Sequence, residues 1–220
     1  MDYSPLLLSC KLAGISTFFL LLIGAPLAYA LVFIPMRGKL FIESLIGLPL
    51  VLPPTVFGFY LLLLMGEQGS IGRLYKILFD TSLLFTFAGI AIAAILHTVP
   101  YVIQPLKASF SRIDRRLLES AEVLGCSKMS CFFRVVLPNS LPGLAAAAIL
   151  SFAHIMGQFG VILMIGGSIP DETRVASIAI FEYVEAMRYQ EAGQLSLALL
   201  VVSYLILLTV NILEKKNNEP

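Results

Sequence analysis

Asp114-Arg115-Arg116-Leu117-Leu118-Glu119-Ser120-Ala121-Glu122-Val123-Leu124-Gly125, then nine residues, then Val135-Val136-Leu137-Pro138, is the one amphipathic, basic run between two long apolar stretches of this chain. Asp114 suits an N-cap, because its carboxylate can accept from the free N–H groups of a first helical turn. A helix from Arg115 to Leu124 would end on Gly125, which takes the left-handed conformation without steric cost. Leu117, Leu118, Ala121 and Leu124 form one apolar stripe, and Arg115, Arg116, Glu119 and Glu122 cover the other faces. Ser127 can cap a second helix, Lys128 to Val136, with Leu137-Pro138 and Pro142 marking the turn that follows. Two short helices hinged at a glycine, with an apolar stripe rimmed by charge, suit a groove in another protein.

The rest of the chain looks built for lipid. Of its 220 residues 58% are hydrophobic and 13% charged, and the mean hydropathy is +0.91. A soluble domain holds about 25% charged residues. A bilayer core of about 30 Å needs roughly 20 apolar residues per helical crossing, and several stretches supply them. The class is an all-α, polytopic helical membrane protein with one transmembrane domain over residues 1–220. A net charge of +1 gives no reason to expect nucleic acid. Cys10, Cys126 and Cys131 lack the spacing of a zinc or redox motif. The two histidines stand alone inside apolar helices, so neither a metal nor a cofactor is expected. Ala28-Tyr29-Ala30 imitates a signal-peptidase site, but Met1 to Ser9 carry Asp2 and no base. The first segment is therefore expected to be a retained helix.

Five spans are expected, at about 12–34, 40–65, 83–106, 141–165 and 195–213. Span two contains Pro49, Pro53, Pro54 and Gly58. Such breaks are tolerated in lipid where neighbours or a cavity satisfy the freed backbone groups, so span two reads as pathway-lining. Gly66 to Ser82 reads as a polar loop, Lys107 to Asn139 as a second, and Arg174 to Arg188 as an interfacial or re-entrant helix. One set of loops holds Arg37, Lys39, Lys107, Arg112, Arg115, Arg116, Lys128, Arg134, Lys215 and Lys216; the other holds Lys11, Arg73, Lys76, Arg174 and Arg188. The first set is the more basic and should be cytoplasmic. That places the N-terminus outside, the C-terminus inside and the 107–139 loop in the cytosol. Lys11 is expected to snorkel at the outer interface, and Glu182 and Glu185 to lie on a solvated face.

Glu119-Ser120-Ala121, three residues, Gly125, nine residues and Val135-Val136-Leu137-Pro138 resembles the signature of permease subunits of bacterial binding-protein-dependent ABC importers, Glu-Ala-Ala…Gly…Ile-x-Leu-Pro. Ser120 and Val135 are mild departures. Pro49 to Tyr60, Gly69-Ser70-Ile71-Gly72-Arg73, Gly157-Gln158-Phe159-Gly160 and Ser168-Ile169-Pro170 are similar to molybdate permeases in particular. The resemblance implies an ABC importer permease fold whose cytoplasmic coupling helix carries Asp114, Leu117, Leu118, Glu119, Ser120, Ala121, Leu124, Gly125, Leu137 and Pro138. It implies a homodimer on two ATPase subunits, served by a periplasmic or lipid-anchored molybdate-binding protein. The subunit would move molybdate, and tungstate too, across the inner membrane by alternating access. Pathway and gate candidates are Pro53, Pro54, Thr55, Phe57, Gly58, His154, Gly157, Gln158, Phe159 and Gly160. No G-x-x-x-x-G-K-[ST] phosphate loop occurs in the chain, so ATP hydrolysis belongs to a partner.

Where the family usually carries an Arg and a Glu four residues apart, this chain has His154 and Gln158. Charges at membrane depth persist mostly in pairs, so a joint change to neutral residues is coherent. The pair reads as a structural brace rather than a substrate ligand. His97 reads as a histidine hydrogen-bonded to a neighbouring helix or to cavity water. A sulfate or dedicated tungstate permease would share the mechanism, but span two favours molybdate. An ion-coupled carrier or channel would want paired intramembrane acids and bases, which the spans lack.

Overall fold

A computed structural model describes residues 3–218, with side-chain surroundings for residues 3–209. Met1 and Asp2, and the side chains of Lys215 and Lys216 used in the charge comparison, lie outside these. The regular elements are α1 (Ser4–Phe33), α2 (Lys39–Val51), α3 (Pro54–Met65), α4 (Ser70–Phe79), α5 (Phe87–Phe110), α6 (Arg115–Val123), α7 (Lys128–Cys131), a π turn (Phe132–Val136), α8 (Leu137–Asn139), α9 (Leu141–Met156), α10 (Gly160–Gly166), α11 (Ala176–Glu185) and α12 (Tyr189–Asn218). Three described helices are long and apolar enough to cross a membrane, Ser4–Phe33, Phe87–Phe110 and Tyr189–Thr209. Two bent pairs pass only together: α2 with α3 at 115°, and Lys128–Asn139 with Leu141–Met156 at 78°.

The core is the packing of α1, α5 and α9. Small residues let the backbones approach: Ala13 and Ala28 of α1, Ala93 and Ala94 of α5, and Ala147 of α9 are fully buried. A Cβ on Gly24 would lie 2.7 Å from Val102 Cγ1, so α1 and α5 close on a glycine. Ser151 of α9 donates to Ala147 O at 2.8 Å, and its hydroxyl lies 3.4 Å from that of Thr17. These contacts run α1 and α5 in the same direction and α9 against them.

They also give the molecule two ends. At one, Lys107 at the end of α5 pairs with Glu43 of α2 at 2.5 Å, and Tyr29 meets Phe132 with ring centroids 5.2 Å apart. At the other, Lys11 Nζ sits 4.7 Å over the Phe87 ring, Phe87 N donates to Glu172 Oε1 at 2.9 Å, and Ala176 N donates to Ser9 Oγ at 2.8 Å.

Several elements depart from the sequence expectation. Span two is two helices, because Leu52 precedes Pro53 and is driven to extended backbone (ψ 137°). Span four stops at Met156 and restarts at Gly160; Ser177 Oγ donates to the Gln158 carbonyl at 2.7 Å, satisfying backbone freed by the break. Span three begins at Phe87, where Thr86 caps α5 by accepting from Gly89 N at 3.1 Å. The polar loop 66–82 contains α4, whose apolar residues Ile71, Leu74, Ile77 and Leu78 are exposed on one side. Within the Arg174–Arg188 segment α11 is folded into the body, with Ile178 and Ala179 fully buried. Glu182, 36% exposed, is paired with Arg174 at 2.7 Å, and Glu185 is exposed.

Candidate functional site

The 114–138 segment builds itself from local hydrogen bonds. Asp114 accepts from Arg116 N at 2.9 Å and starts α6. Gly125 takes φ +85°; its N–H donates to Glu122 O at 2.9 Å and Cys126 N–H donates to Ala121 O at 3.0 Å. That is the Schellman closure of a helix on a left-handed glycine. Ser127 then accepts from Ser130 N at 3.3 Å and starts the second helix.

That second helix does not stop before Leu137-Pro138. It loosens into a π turn, with Leu137 N donating to Phe132 O, and runs through Pro138 to Asn139. Pro138 has no N–H to give the ladder, and Asn139 Nδ2 donates to Val135 O at 2.7 Å. Phe132 and Val136 are buried and tie the segment to the body.

The apolar stripe divides differently from its spacing. Leu118 packs on the core and Ala121 is half-buried. Val123 and Leu124, at 87% and 88% exposure, project outward with Leu117, Met129 and Phe133. Glu119 and Ser120 are exposed. Val123 belongs to this outward surface and was missed, because the body occupies the face that the periodicity assigns to a partner. Behind α6 a cavity of about 310 Å³ is lined by Tyr29, Phe33, Ile34, Pro35, Arg115, Leu118, Glu119, Glu122 and Lys128. The two cysteines of the segment differ. A hydrogen bond with Ser130 holds the Cys126 thiol below its usual range. The hydrogen bond with Cys126, then desolvation, pushes Cys131 up to about 11.

The second group of candidates lies where two helix breaks meet. A Cβ on Gly160 would stand 3.2 Å from Pro54 Cβ, and one on Gly58 3.0 Å from Met164 Cβ. The start of α3 thus abuts α10 through glycines. Pro53, Pro54, Thr55 and Gly157 are exposed here, while Phe57 and Phe159 are half-buried. Phe159 leans on Phe181 with centroids 5.0 Å apart.

The histidines do not stand alone. His97 of α5 meets His154 of α9, Nδ1 to Nε2, at 3.2 Å, and Gln158 Nε2 lies 2.8 Å from the same His97 nitrogen. Tyr101 stacks on His154 with centroids 3.9 Å apart, and Phe57 sets its ring edge-on to His97 at 5.3 Å. His154 and Gln158 therefore meet on a third residue, because the α5–α9 packing brings position 97 between them. His97 and Tyr101 are the residues sequence reasoning left out of the site. An ionisable side chain in the middle of an apolar span was the available signal.

A family model described as "Binding-protein-dependent transport system inner membrane component" matches residues 20–217. The "Molybdenum transport system permease protein ModB" of Azotobacter vinelandii is 45% identical over 206 residues, covering 94% of this chain and 91% of the relative. The "Sulfate transport system permease protein CysT" of Escherichia coli (strain K12) is 31% identical over 214 residues, covering 97% and 76%. Among solved structures, a bacterial ABC transporter involved in the import of the acidic polysaccharide alginate superposes with a TM-score of 0.75 at 18% identity, covering 98% of this chain and 79% of its counterpart. That likeness carries the fold: bent helix pairs around a central three-helix packing. With the family model spanning nearly the whole chain, the protein belongs to the inner membrane components of binding-protein-dependent transport systems, as a transport subunit and not an enzyme.

Proposed function

We propose that this chain is the membrane-spanning subunit of an ATP-driven importer that moves molybdate, and tungstate with it, into the cytoplasm by alternating access. The observation that carries the cargo is the 45% identity to a molybdenum transport permease over 94% of the chain and 91% of the relative. The segment Asp114–Pro138 supports the machine: a capped helix, a left-handed glycine and a second helix held rigidly, with Leu117, Val123, Leu124, Met129 and Phe133 left uncovered. In this reading two copies of the chain sit on two ATPase subunits. The segment is the coupling helix through which closure of the ATPases reaches α5 and α9. A molybdate-binding protein delivers the oxyanion to the opposite end, and the pathway passes the start of α3 and the α9–α10 break.

The test is uptake of radiolabelled molybdate by liposomes holding the chain with its ATPase and binding protein. Uptake that requires ATP and both partners, and is competed by tungstate more strongly than by sulfate, supports this function. Uptake without the ATPase, or a preference for sulfate, contradicts it.

The orientation is tested separately. With the N-terminus outside and the C-terminus inside, Cys126 faces the cytoplasm. Its lowered thiol and partial exposure make it the fastest of the three cysteines to react. A membrane-impermeant maleimide is expected to label Cys126 in inside-out vesicles and to spare it in intact right-side-out ones. The reverse pattern would invert the topology.

A further inference from the structure

We propose that His154, Gln158 and Tyr101, held by His97, form an uncharged contact for a tetrahedral oxyanion halfway through the membrane-spanning body. The proposal rests on the importer reading above and deepens it. His97 lies near the middle of α5 (Phe87–Phe110), so the cluster sits far from either end of that helix. Polar groups at such depth are expensive and are kept for a use.

A purely structural brace closes its own hydrogen bonds, and this one does not. His97 and Gln158 are 5% and 6% exposed, yet His97 Nε2 and Gln158 Oε1 have no partner among the described residues. His154 spends Nε2 on His97, which leaves its Nδ1 without a partner among the described residues on a half-buried ring. The Tyr101 hydroxyl is likewise unengaged among them. The cluster adjoins the exposed start of α3 through the Phe57–His97 contact. There Phe57 N is the first to bond backward, to Pro53 O, so the N–H groups of Thr55 and Val56 have no partner among the described residues.

The chemistry of these groups selects an anion. The sequences of α3, α5, α9 and α10 contain no Asp or Glu, so these helices offer a cation no carboxylate, and on α11, which reaches Gln158 and Phe159 through Ser177 and Phe181, Glu182 is already paired with Arg174. Two hydrogen placements satisfy the short contacts to His97 Nδ1. In one, His154 Nε2–H and the Gln158 amide N–H donate to it. In the other, the Gln158 amide is turned over and His97 Nδ1–H donates to His154 Nε2 and Gln158 Oε1. The second placement leaves His154 Nδ1–H, the Gln158 –NH₂ and the Tyr101 O–H as donors with no protein acceptor. An oxyanion favours that placement without any group gaining a charge. Neutral donors hold a dianion loosely, as transit requires: firm enough to enter, weak enough to leave. His97 is a positioning residue, since its Nδ1 sets which hydrogens the other two present.

The experiment uses the complete importer in liposomes, reading ATP hydrolysis stimulated by the loaded binding protein, oxyanion taken up per ATP, and the molybdate-to-sulfate preference. His154→Phe keeps the ring stacked on Tyr101 and removes both nitrogens. It is expected to keep stimulated hydrolysis within about two-fold while uptake per ATP falls roughly ten-fold, the scale of one lost hydrogen bond. His154→Gln, which retains a donor, restores most of the loss, and Gln158→Met reproduces it by an independent route. Unchanged uptake per ATP and unchanged preference in both His154→Phe and Gln158→Met overturns the proposal. So does a parallel fall of hydrolysis and uptake in all three variants, which would mark a brace and nothing more. A wild-type importer that takes up neither oxyanion overturns the functional reading itself; wild-type uptake with indifferent variants overturns this inference alone.

Discussion

Gly125→Pro abolishes oxyanion uptake while the chain still reaches the membrane in normal amount. The native residue holds φ +85°, and proline is locked near −65°. The substitution also removes the N–H that donates to Glu122 O at 2.9 Å. The junction must rearrange, at a cost of about 3 kcal/mol or more. The damage is confined, because a Cβ at position 125 meets nothing within 4 Å, so no buried contact is disturbed. What changes is the angle between α6 and the second helix, and with it the shape of the proposed coupling segment. Uptake in reconstituted liposomes is expected to fall at least roughly a hundred-fold, the factor that about 3 kcal/mol commands. Gly125→Asn, which tolerates the left-handed region, retains most activity. Normal transport by Gly125→Pro would remove the segment from the mechanism.

Gly166→Leu is expected to destabilise the fold. Gly166 ends α10 with no room for a side chain: a Cβ would collide with Ile90 Cγ2 of α5 and stand 2.9 Å from Thr173 Cβ. The Gly166 carbonyl accepts from Thr173 Oγ1 at 2.7 Å, and that hydroxyl accepts from Ile169 N at 3.0 Å, so any shift also breaks two hydrogen bonds, one of them buried. Overpacking of this kind costs about 2–3 kcal/mol before the hydrogen bonds are counted. The midpoint of thermal unfolding in detergent should drop by several degrees and the membrane yield with it. Gly14→Ala is the matching control: Gly14 lies inside α1 with nothing within 4 Å of a Cβ. Gaining helix propensity there should leave stability equal or slightly higher. Equal stability of Gly166→Leu and Gly14→Ala would contradict the packing described.

Local signals were legible and long-range ones were not. Asp114, Gly125 and Ser127 cap and close their helices as their chemistry dictates, since each acts on backbone within a few residues. Pro53 and Pro54 announced a break but not its 115° bend, which depends on how α3 packs against α10. Helix α4 was hidden because Gly69 and Gly72 suggest a loop; both press against the carbonyls that end α3, where a Cβ would collide. The stripe on α6 splits between two surfaces, Leu118 toward the body and Leu117 and Leu124 outward: periodicity finds an apolar face but not which side the body already covers. His97, His154 and Gln158 are 57 and 61 positions apart in sequence contact, and only the packing of α5 on α9 makes them one cluster. Where this chain carries neutral residues at 154 and 158, the reading as an isolated pair therefore missed its centre.

The central claim is that the Asp114–Pro138 segment seats in an ATPase subunit. It is tested most directly by placing a photo-crosslinking amino acid at Leu124, 88% exposed, in the assembled importer. Leu74, on the outward side of α4, serves as the reference position. The account predicts that position 124 captures the ATPase subunit in a yield that changes when ATP is bound, and that position 74 does not capture it. Capture of the ATPase at neither position in an importer that still takes up molybdate would contradict it.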